Sequence, residues 1–406
     1  MGLLSAEIGA KPVHLTLTRD RVRALKAGSP WLYADSLREL PPARPGSMAL
    51  IKTKDGDIIA KGFYDPGSQL AFRAVAVRER RLDDALVAAR LERAVAMRQR
   101  LFEGADTDGY RLVNGEGDGL PGLVCDVYAS TAVVKLDGAG PAGFYNAKGI
   151  AQWLVQRLPR LNCVWLKHRA GEDSRGALLL GERPARPVVF VENGVRFESD
   201  VVMGQKTGFF LDQRDNRKRM QPFARGRRVL NLFAYTGGFS AYAGAAGAAH
   251  VTSVDLAAPA CASAEVNWGL NGLDAGRHAA VAADCFAFLE DAAAAKEAWD
   301  VVIVDPPSFA PSKQSVTKAT ASYERLFAAA VKITASGGIL ALSSCSSHID
   351  FPLFHQARPG TICDSAVGRA RRSAAVLGVY GQPEDHPFPA ACQELRYLKF
   401  VTHALD

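Results

Sequence analysis

Three aspartates in the second half of the chain each follow an apolar run that reads as a buried strand. Asp255 ends HVTSVD, Asp284 ends the short acidic stretch AAD, and Asp305 ends DVVIVD. Because the carboxyl ends of parallel strands lie at one edge of a sheet, where α/β proteins bind ligands, we expect these carboxylates to lie close together. Taken singly, each is more simply a helix cap or a turn residue, but in register they favour a ligand site.

The residues before Asp255 predict a loop that holds a small ligand. VLNLFAYTGGFS reads as a strand, a turn and the start of a helix, and Gly237 and Gly238 let the backbone approach a ligand closely. Free amides at the helix start can bind a carboxylate. The dinucleotide fingerprint G-x-G-x-x-G is missing, so a nicotinamide oxidoreductase is the least favoured function. The Asp255 carboxylate can accept hydrogen bonds from ribose hydroxyls, and that of Asp284 from the amine of an adenine. The Phe286 ring could stack on the same adenine.

Asp305 opens a second motif, DPPSF, which can bind a planar base. Pro306 and Pro307 fix the turn and expose backbone carbonyls. Asp305 can hydrogen-bond the Watson–Crick edge of a base, and Phe309 offers a stacking face. The motif therefore indicates methylation of a nucleobase without fixing the atom that receives the methyl group.

Cys345 could supply a nucleophile to the same site. It follows the predicted strand GGILALSS, and a thiolate there can add to a pyrimidine ring and make its carbon 5 nucleophilic. Without the upstream motif, a buried structural cysteine is the simpler interpretation. An exocyclic-amine methyltransferase, in which Cys345 is dispensable, is the alternative. His348 and His386 could carry protons, but a surface or capping role is favoured.

Composition limits the class of protein. A chain of 406 residues predicts two or three domains, and 48% hydrophobic with 22% charged residues is typical of soluble globular proteins. No apolar run approaches the roughly 20 residues that span a bilayer, and no secretory start is present, so we expect a cytoplasmic protein with no membrane partner.

A net charge of +7 is weak support for a polyanionic partner. Seven cysteines without a C-x-x-C pair predict neither disulfides nor a metal site.

The order of predicted elements indicates three domains. Residues 1–76 read as a small β-barrel, with Asp55–Gly56 at a hairpin turn. Residues 77–186 read as an α+β domain of the order β-β-α-β-β, opened by a helix near residues 80–100 whose arginines are more simply a solvated face than a nucleic-acid surface. Residues 187–406 begin with a hairpin and then alternate strands with helices, which predicts a Rossmann-like α/β domain.

These motifs together resemble a known family. GSPWLYADSL, PGSMALIKTKDGDIIAKGFYDP, RLVNGEGDGLPGLVCDVY, ENGVRFESDVVMGQKTGFFLDQRDNR, VLNLFAYTGGFS, VDPPSF and SSCSSHI are similar to segments of the bacterial large-subunit (23S) rRNA cytosine-5 methyltransferases with an N-terminal PUA domain. The resemblance covers most of the chain. It implies a class I methyltransferase fold, S-adenosylmethionine as cofactor, and rRNA, not DNA, as partner.

The resemblance also implies roles for individual residues. Cys345 and Asp305 are the expected catalytic residues, and Pro306, Pro307 and Phe309 are expected to contact the base. The expected cofactor contacts are Phe210, Gln213, Phe233, Tyr235, Thr236, Gly237, Asp255, Leu256, Asp284, Cys285 and Phe286.

The chain departs from the family pattern in two places. Ser308 stands where related RNA cytosine methyltransferases often have a second cysteine, and residues 351–372 fit the family pattern poorly. A non-catalytic RNA-binding assembly factor is a further alternative, which the presence of all motif side chains disfavours. The target nucleotide is not fixed by the sequence, and a homodimer is left open.

Overall fold

The computed structural model describes residues 2–5, 11–18, 20–53, 55–77, 79, 81–168, 176–184, 187–355 and 360–406. The chain divides into two compact units. The first comprises Met1–Glu192, Ser199–Leu211 and Glu384–Gln393, and the second comprises Asn193–Glu198, Asp212–Pro383 and Glu394–Asp406. Among the described residues, no helix is both long and apolar enough to cross a bilayer.

The first unit begins with a sheet of short strands. They are β1 (Val13–Thr16), β2 (Trp31–Leu32), β3 (Ser47–Lys52), β4 (Ile58–Tyr64) and β5 (Phe72–Ala76), with helix α1 (Val22–Lys26) after β1. The strand order is β1-β3-β4-β5-β2. β3 and β4 form the predicted hairpin, and Gly56 in its turn has a φ of 93°, which glycine adopts without strain. The β-rich N-terminal segment is therefore confirmed.

A second sheet in the first unit packs with a long helix. Its elements are α2 (Asp84–Phe102), β6 (Gly109–Asn114), β7 (Leu123–Tyr128), β8 (Thr131–Leu136), α3 (Ala139–Phe144), α4 (Ala147–Arg157), β9 (Cys163–Lys167) and β10 (Ala177–Gly181). The strand order is β10-β9-β8-β7-β6. Three strands precede α3, one more than predicted, because β6 ends directly at the glycine-rich turn Gly115–Asp118 and its apolar pattern is short.

The predicted helix near residues 80–100 is confirmed as α2, but its arginines are not one solvated face. Asp83 caps the helix by accepting from the Leu86 amide over 3.1 Å. Arg98 is fully buried and its guanidinium makes two bonds of 2.6 and 2.8 Å to Asp118, while Arg90 pairs with Glu79 at 2.7 Å. These two side chains stabilise the interior of the unit and are not available to nucleic acid.

A hairpin follows the second sheet, as predicted. Its strands are β11 (Val188–Glu192) and β12 (Val195–Ser199), and Asn193 and Gly194 at the turn have φ of 49° and 78°. Positive φ at both positions is the signature of a tight hairpin turn. The domain boundary predicted at residue 186 falls on residues 185–186, which lie outside the described ranges.

The second unit is built on a seven-stranded sheet. Its strands are β13 (Arg228–Leu232), β14 (His250–Asp255), β15 (His278–Ala282), β16 (Trp299–Val304), β17 (Thr334–Ser344), β18 (Ala374–Tyr380) and β19 (Lys399–Leu405). Its helices are α5 (Arg214–Ala224), α6 (Gly238–Ala245), α7 (Ala258–Leu270), α8 (Cys285–Ala294), α9 (Val316–Ile333), α10 (Phe351–Phe354) and α11 (Ile362–Arg369). Residues 356–359 of the segment that fits the family pattern poorly lie outside the described ranges.

The strand order of this sheet explains where a ligand can bind. The order is β15-β14-β13-β16-β17-β19-β18, and β13 to β17 run parallel while β19 is antiparallel to both neighbours. β13 and β16 are almost wholly buried, as the continuous apolar runs of a parallel sheet require. From β13 the next strands in the chain, β14 and β15, lie toward one edge of the sheet, whereas β16 and the strands after it lie toward the other edge. Ligands bind at the carboxyl ends of the two strands, here β13 and β16, where the order changes direction. The predicted Rossmann-like α/β domain is confirmed.

Candidate active site

The loop after β13 holds an unusual backbone conformation. Phe233 and Tyr235 have φ of 57° and 47°, and Gly237 has a φ of 74°. The first two residues are strained there, because a side chain makes the left-handed region unfavourable. A Cβ on Gly237 would lie 2.8 Å from that of Ala264 on α7, so this position has no room for a side chain. The loop thus presses its backbone against α7 and directs the start of α6 toward the sheet edge.

Asp255 fixes this loop from the neighbouring strand. Its Oδ2 accepts from the Tyr235 amide over 2.8 Å, and its Oδ1 accepts from the Ala257 amide over 2.9 Å. Each carboxylate oxygen has a further lone pair, so the group can still accept from a ligand's hydroxyls. Leu256, the next residue, is 75% exposed and offers an apolar surface beside the carboxylate.

Asp284 caps helix α8. Its Oδ1 accepts from the amides of Phe286 and Ala287 over 2.9 and 3.0 Å, which leaves Oδ2 with its lone pairs. The guanidinium of Arg325 lies 4.6 Å from the centre of the Phe286 ring. Capping and ligand binding are therefore compatible at Asp284, and Arg325 covers one face of the predicted stacking ring.

Cys285 beside the loop and Thr236 within it differ in what they offer a ligand. Cys285 is buried, and its sulfur accepts from the Phe233 amide over 3.4 Å. Burial raises the pKa of Cys285 to about 12, so it is a neutral thiol that supports the strained loop. Thr236 has a buried hydroxyl with no hydrogen-bond partner, while its carbonyl accepts from Asn267 over 2.8 Å. An unpaired buried hydroxyl beside a strained loop fits a site built for a polar ligand.

Asp305 lies directly after β16, across β13 from Asp255. The Gln213 side-chain amide donates to Asp305 over 2.9 Å and to the Ser343 hydroxyl over 3.1 Å. Pro306 is buried, Pro307 is exposed, and the half-buried Phe309 ring packs against Tyr323 with their centres 4.7 Å apart. Gln213, which the family resemblance placed beside the cofactor loop, thus contacts the carboxylate expected to bind the base.

A network of hydroxyl groups joins the DPPSF turn to the segment that contains Cys345. The Ser346 hydroxyl lies 2.9 Å from those of Ser308 and Tyr323, and the Ser344 hydroxyl donates to Tyr323 over 3.0 Å. β16 and β17 are neighbours in the sheet, so both segments emerge at the same edge. The structure therefore holds the predicted base-binding turn and the predicted nucleophile together.

Cys345 differs from the other six cysteines of the chain. It is half-buried, whereas the others are buried. Lys399 at the start of β19 is fully buried, and its ammonium donates to the carbonyls of Ser346 over 2.6 Å and Tyr397 over 2.7 Å. Burial lowers the pKa of Lys399 to about 8, while negative charge on Cys345 and Asp350 acts in the opposite direction. Sequence reasoning missed Lys399; the signal was a lysine inside the apolar run YLKFV.

Three other residues singled out in the sequence make no contact with Asp305 or Cys345 that the described hydrogen bonds and ring contacts include. Phe210 belongs to the first unit, where the Lys206 ammonium lies 4.2 Å from its ring centre. His386 also belongs to the first unit and is buried with its Nδ1 3.0 Å from Asp385. His348 is exposed two residues after Ser346.

Comparisons with known proteins agree with this architecture. A family model described as S-adenosylmethionine-dependent methyltransferase matches residues 155–362, and one described as PUA-like domain matches residues 15–76. A ribosomal RNA large subunit methyltransferase of Deinococcus radiodurans is 38% identical over 418 residues, covering 99% of this chain and 100% of that protein. Ribosomal RNA large subunit methyltransferase I of Shewanella denitrificans is 34% identical over 398 residues, covering 95% and 98%.

Solved structures share the fold. One from Streptococcus mutans, described as a SAM-dependent methyltransferase, has a TM-score of 0.83 at 22% identity and covers 97% of this chain and 100% of that one. A second methyltransferase, complexed with SAH, has a TM-score of 0.84 at 22% identity with the same coverage. The cofactor of this chain is S-adenosylmethionine, and the loop, Asp255 and the unpaired Thr236 hydroxyl fit it. The chain belongs to the family of S-adenosylmethionine-dependent methyltransferases that matches residues 155–362, and it carries a PUA-like domain at residues 15–76.

Proposed function

We propose that this protein methylates carbon 5 of a cytosine in large-subunit rRNA through a covalent adduct with Cys345. The observation that carries the proposal is the hydroxyl network that ties Ser308 of the DPPSF turn to Ser346 beside Cys345. It holds a carboxylate that can orient a base and a half-exposed thiol at the same edge of the sheet. The curated relatives are ribosomal RNA large subunit methyltransferases, which supports the choice of substrate.

The chemistry follows from these side chains. The Cys345 thiolate adds to carbon 6 of the cytosine, forming a carbon–sulfur bond, and the electrons of the ring double bond make carbon 5 nucleophilic. S-adenosylmethionine, when bound, would supply an electrophilic methyl group for that carbon and leave as S-adenosylhomocysteine once its sulfur–methyl bond breaks. The proton of carbon 5 then passes to solvent, the electrons of its bond re-form the ring double bond, and the carbon–sulfur bond breaks so that Cys345 leaves as a thiolate.

Asp305 and its neighbours orient the base in this proposal. Gln213 donates to Asp305 over 2.9 Å, which restricts the carboxylate to one orientation. The base has to leave its stack to reach the thiol, at about a few kcal/mol. The PUA-like domain supports an RNA partner recognised through shape and phosphates. We place the reaction in the cytoplasm, and a homodimer stays a prediction from the sequence.

Nucleoside mass spectrometry tests the proposal. We expect 5-methylcytidine at one site of large-subunit rRNA to disappear in a deletion strain and to return with the wild-type gene, but not with Cys345→Ala. A missing N-methylated base in place of 5-methylcytidine would favour the exocyclic-amine alternative. Unchanged rRNA, together with no binding of S-adenosylmethionine in calorimetry, would favour a non-catalytic RNA-binding factor.

A further inference from the structure

Lys399 is a fully buried lysine in the group around Cys345. It pairs across the sheet with Ser344, the residue that precedes Cys345. Its ammonium bonds the carbonyl of Ser346, the residue that follows Cys345, over 2.6 Å. Lys399 therefore holds the backbone on both sides of the thiol.

A buried ammonium is unfavourable unless it has compensating partners, since desolvation of a charge costs several kcal/mol. Two carbonyls accept from Lys399, at Ser346 and Tyr397. Asp350 and Cys345 are the groups whose negative charge favours its protonated form. Asp350 is exposed and caps α10, so it is screened by solvent, whereas a thiolate at Cys345 is half-buried.

We propose that Lys399 is a positioning residue that fixes the Cys345 segment and stabilises its thiolate by positive charge. The inference rests on the proposed function. When the thiol releases its proton to solvent, the sulfur gains a negative charge while the ammonium keeps its own three protons. With a pKa of about 8, Lys399 is mostly charged at neutral pH. Tyr323 nearby stays neutral, since burial raises its pKa.

Alkylation measures this effect directly, because the other six cysteines of the chain are buried. The full-length protein is treated with iodoacetamide from pH 6 to 9.5, and Cys345→Ser identifies the signal from position 345. In Lys399→Gln, which keeps donors but loses the charge, we expect the rate at pH 7 to fall about tenfold and the profile to move about one pH unit upward. Lys399→Arg, which keeps the charge, should recover most of the rate.

Identical profiles in the wild type and a folded Lys399→Gln variant would overturn this inference. Lys399→Met, which has a similar volume, replaces the Gln variant if the latter does not fold. The assay uses neither RNA nor S-adenosylmethionine, so it is independent of the proposed reaction. If the alkylation profile of Lys399→Gln is shifted but Cys345→Ala still methylates RNA, the covalent reaction is overturned while the effect of Lys399 on the thiolate stands.

A different cluster in the second unit has the side chains of a metal site. His355 follows α10, Cys363 lies on α11 and His403 lies on β19, and one ligand atom from each lies within 4.8 Å of the others. His403 and Cys363 are buried, and the Nδ1 atoms of both histidines are buried without a hydrogen-bond partner. Unpaired buried nitrogens are rare in folded proteins, so this pair calls for a partner.

The geometry points to a site for a divalent cation of the zinc class. Two imidazole nitrogens and one thiolate are ligands that zinc prefers. When the metal binds, the thiol proton of Cys363 leaves to solvent as the metal–sulfur bond forms. The three side chains supply three ligands, so water would be the fourth ligand of a tetrahedral ion. A bound ion would fasten α10 and α11 to the sheet.

Cobalt(II) tests this second site. The chelator-treated full-length protein should bind one equivalent with a thiolate charge-transfer absorption that zinc(II) abolishes and magnesium(II) does not, and zinc(II) should raise its melting temperature. Cys363→Ser should lose the absorption, and His355→Ala should weaken binding at least tenfold. No thiolate absorption from the wild-type protein, or the same absorption in a folded Cys363→Ser variant, would overturn the assignment.

Discussion

The side-chain amide nitrogen of Gln213 donates to the carboxylate of Asp305 over 2.9 Å. The side-chain oxygen of the same residue, Oε1, accepts from the Asn216 side chain over 2.7 Å. This chain of bonds fixes which end of Gln213 faces Asp305. Gln213 therefore contacts the carboxylate that we propose orients the base, whereas the family resemblance assigned it to the cofactor.

We expect Gln213→Leu to lower kcat because Asp305 loses a donor that sets its orientation. A hydrogen bond to a charged group contributes about 1.5–3 kcal/mol, which corresponds to roughly a tenfold to hundredfold loss of rate. The affinity for S-adenosylmethionine, measured by calorimetry, should stay the same, and the exposed Gln314→Ala is the matched control. Weaker binding of S-adenosylmethionine at an unchanged kcat would mean that Gln213 contacts the cofactor and does not orient Asp305 for the base.

Cys345→Ala should bind S-adenosylmethionine normally and lose methylation entirely, because no other described cysteine is exposed enough to replace its sulfur. RNA that contains 5-fluorocytidine should form a covalent complex with the wild type, since fluorine blocks the loss of a proton from carbon 5. Denaturing electrophoresis detects that complex, which Cys345→Ser should not form. Methylation by the alanine variant would rule out the covalent route.

Gly237→Ala should weaken cofactor binding. The new Cβ would lie 2.8 Å from that of Ala264 at a φ of 74°, so the loop has to move. Gly247→Ala is the control, because Gly247 has a φ of 86° but no atom within 4 Å of the added Cβ. Both variants should lose about 1 kcal/mol of stability or more from backbone strain, but calorimetry should show a loss of affinity only for Gly237→Ala. Equal affinities of the two variants for S-adenosylmethionine would show that this loop does not bind the cofactor.

Asp284 combines a helix cap with a predicted adenine contact, and two substitutions separate them. Asp284→Asn keeps an oxygen acceptor for the amides of Phe286 and Ala287, so it should melt within a degree or two of the wild type. Asp284→Ala should lose about 1 kcal/mol in chemical denaturation. If the carboxylate also binds the cofactor, both variants should show reduced affinity. Normal affinity in both would leave Asp284 with the cap alone.

Arg98→Ala should strongly destabilise the first unit. Removal of a buried guanidinium leaves the Asp118 carboxylate, 7% exposed, without its charged partner, which costs about 3–5 kcal/mol. The exposed Arg93→Ala, on the same helix, should change the stability by about 0.5 kcal/mol or less. Urea denaturation measures both. Similar values for the two variants would mean that the ion pair contributes little.

The sequence predicted those parts of the fold and the site that depend on local patterns. Asp255 and Asp305 could be placed because apolar strands end at them, and the hairpin that opens residues 187–406 because two apolar strands flank a short turn. Lys399 could not be placed, because its contact with Ser346 depends on an antiparallel strand that inserts beside β17 from 53 positions away. The position of Gln213 against Asp305, 92 residues apart, likewise depends on packing that no local pattern encodes.

The left-handed backbone at Phe233 and Tyr235 has a consequence for how the protein responds to selection. Two residues with side chains occupy a conformation that glycine would adopt with less strain, at about 1 kcal/mol or more each. The contacts of the Tyr235 amide with Asp255 and of the Phe233 amide with Cys285 hold the loop in this conformation. Selection for heat resistance alone would favour substitution of these two residues by glycine. We expect such variants to melt at a higher temperature but to bind S-adenosylmethionine with lower affinity.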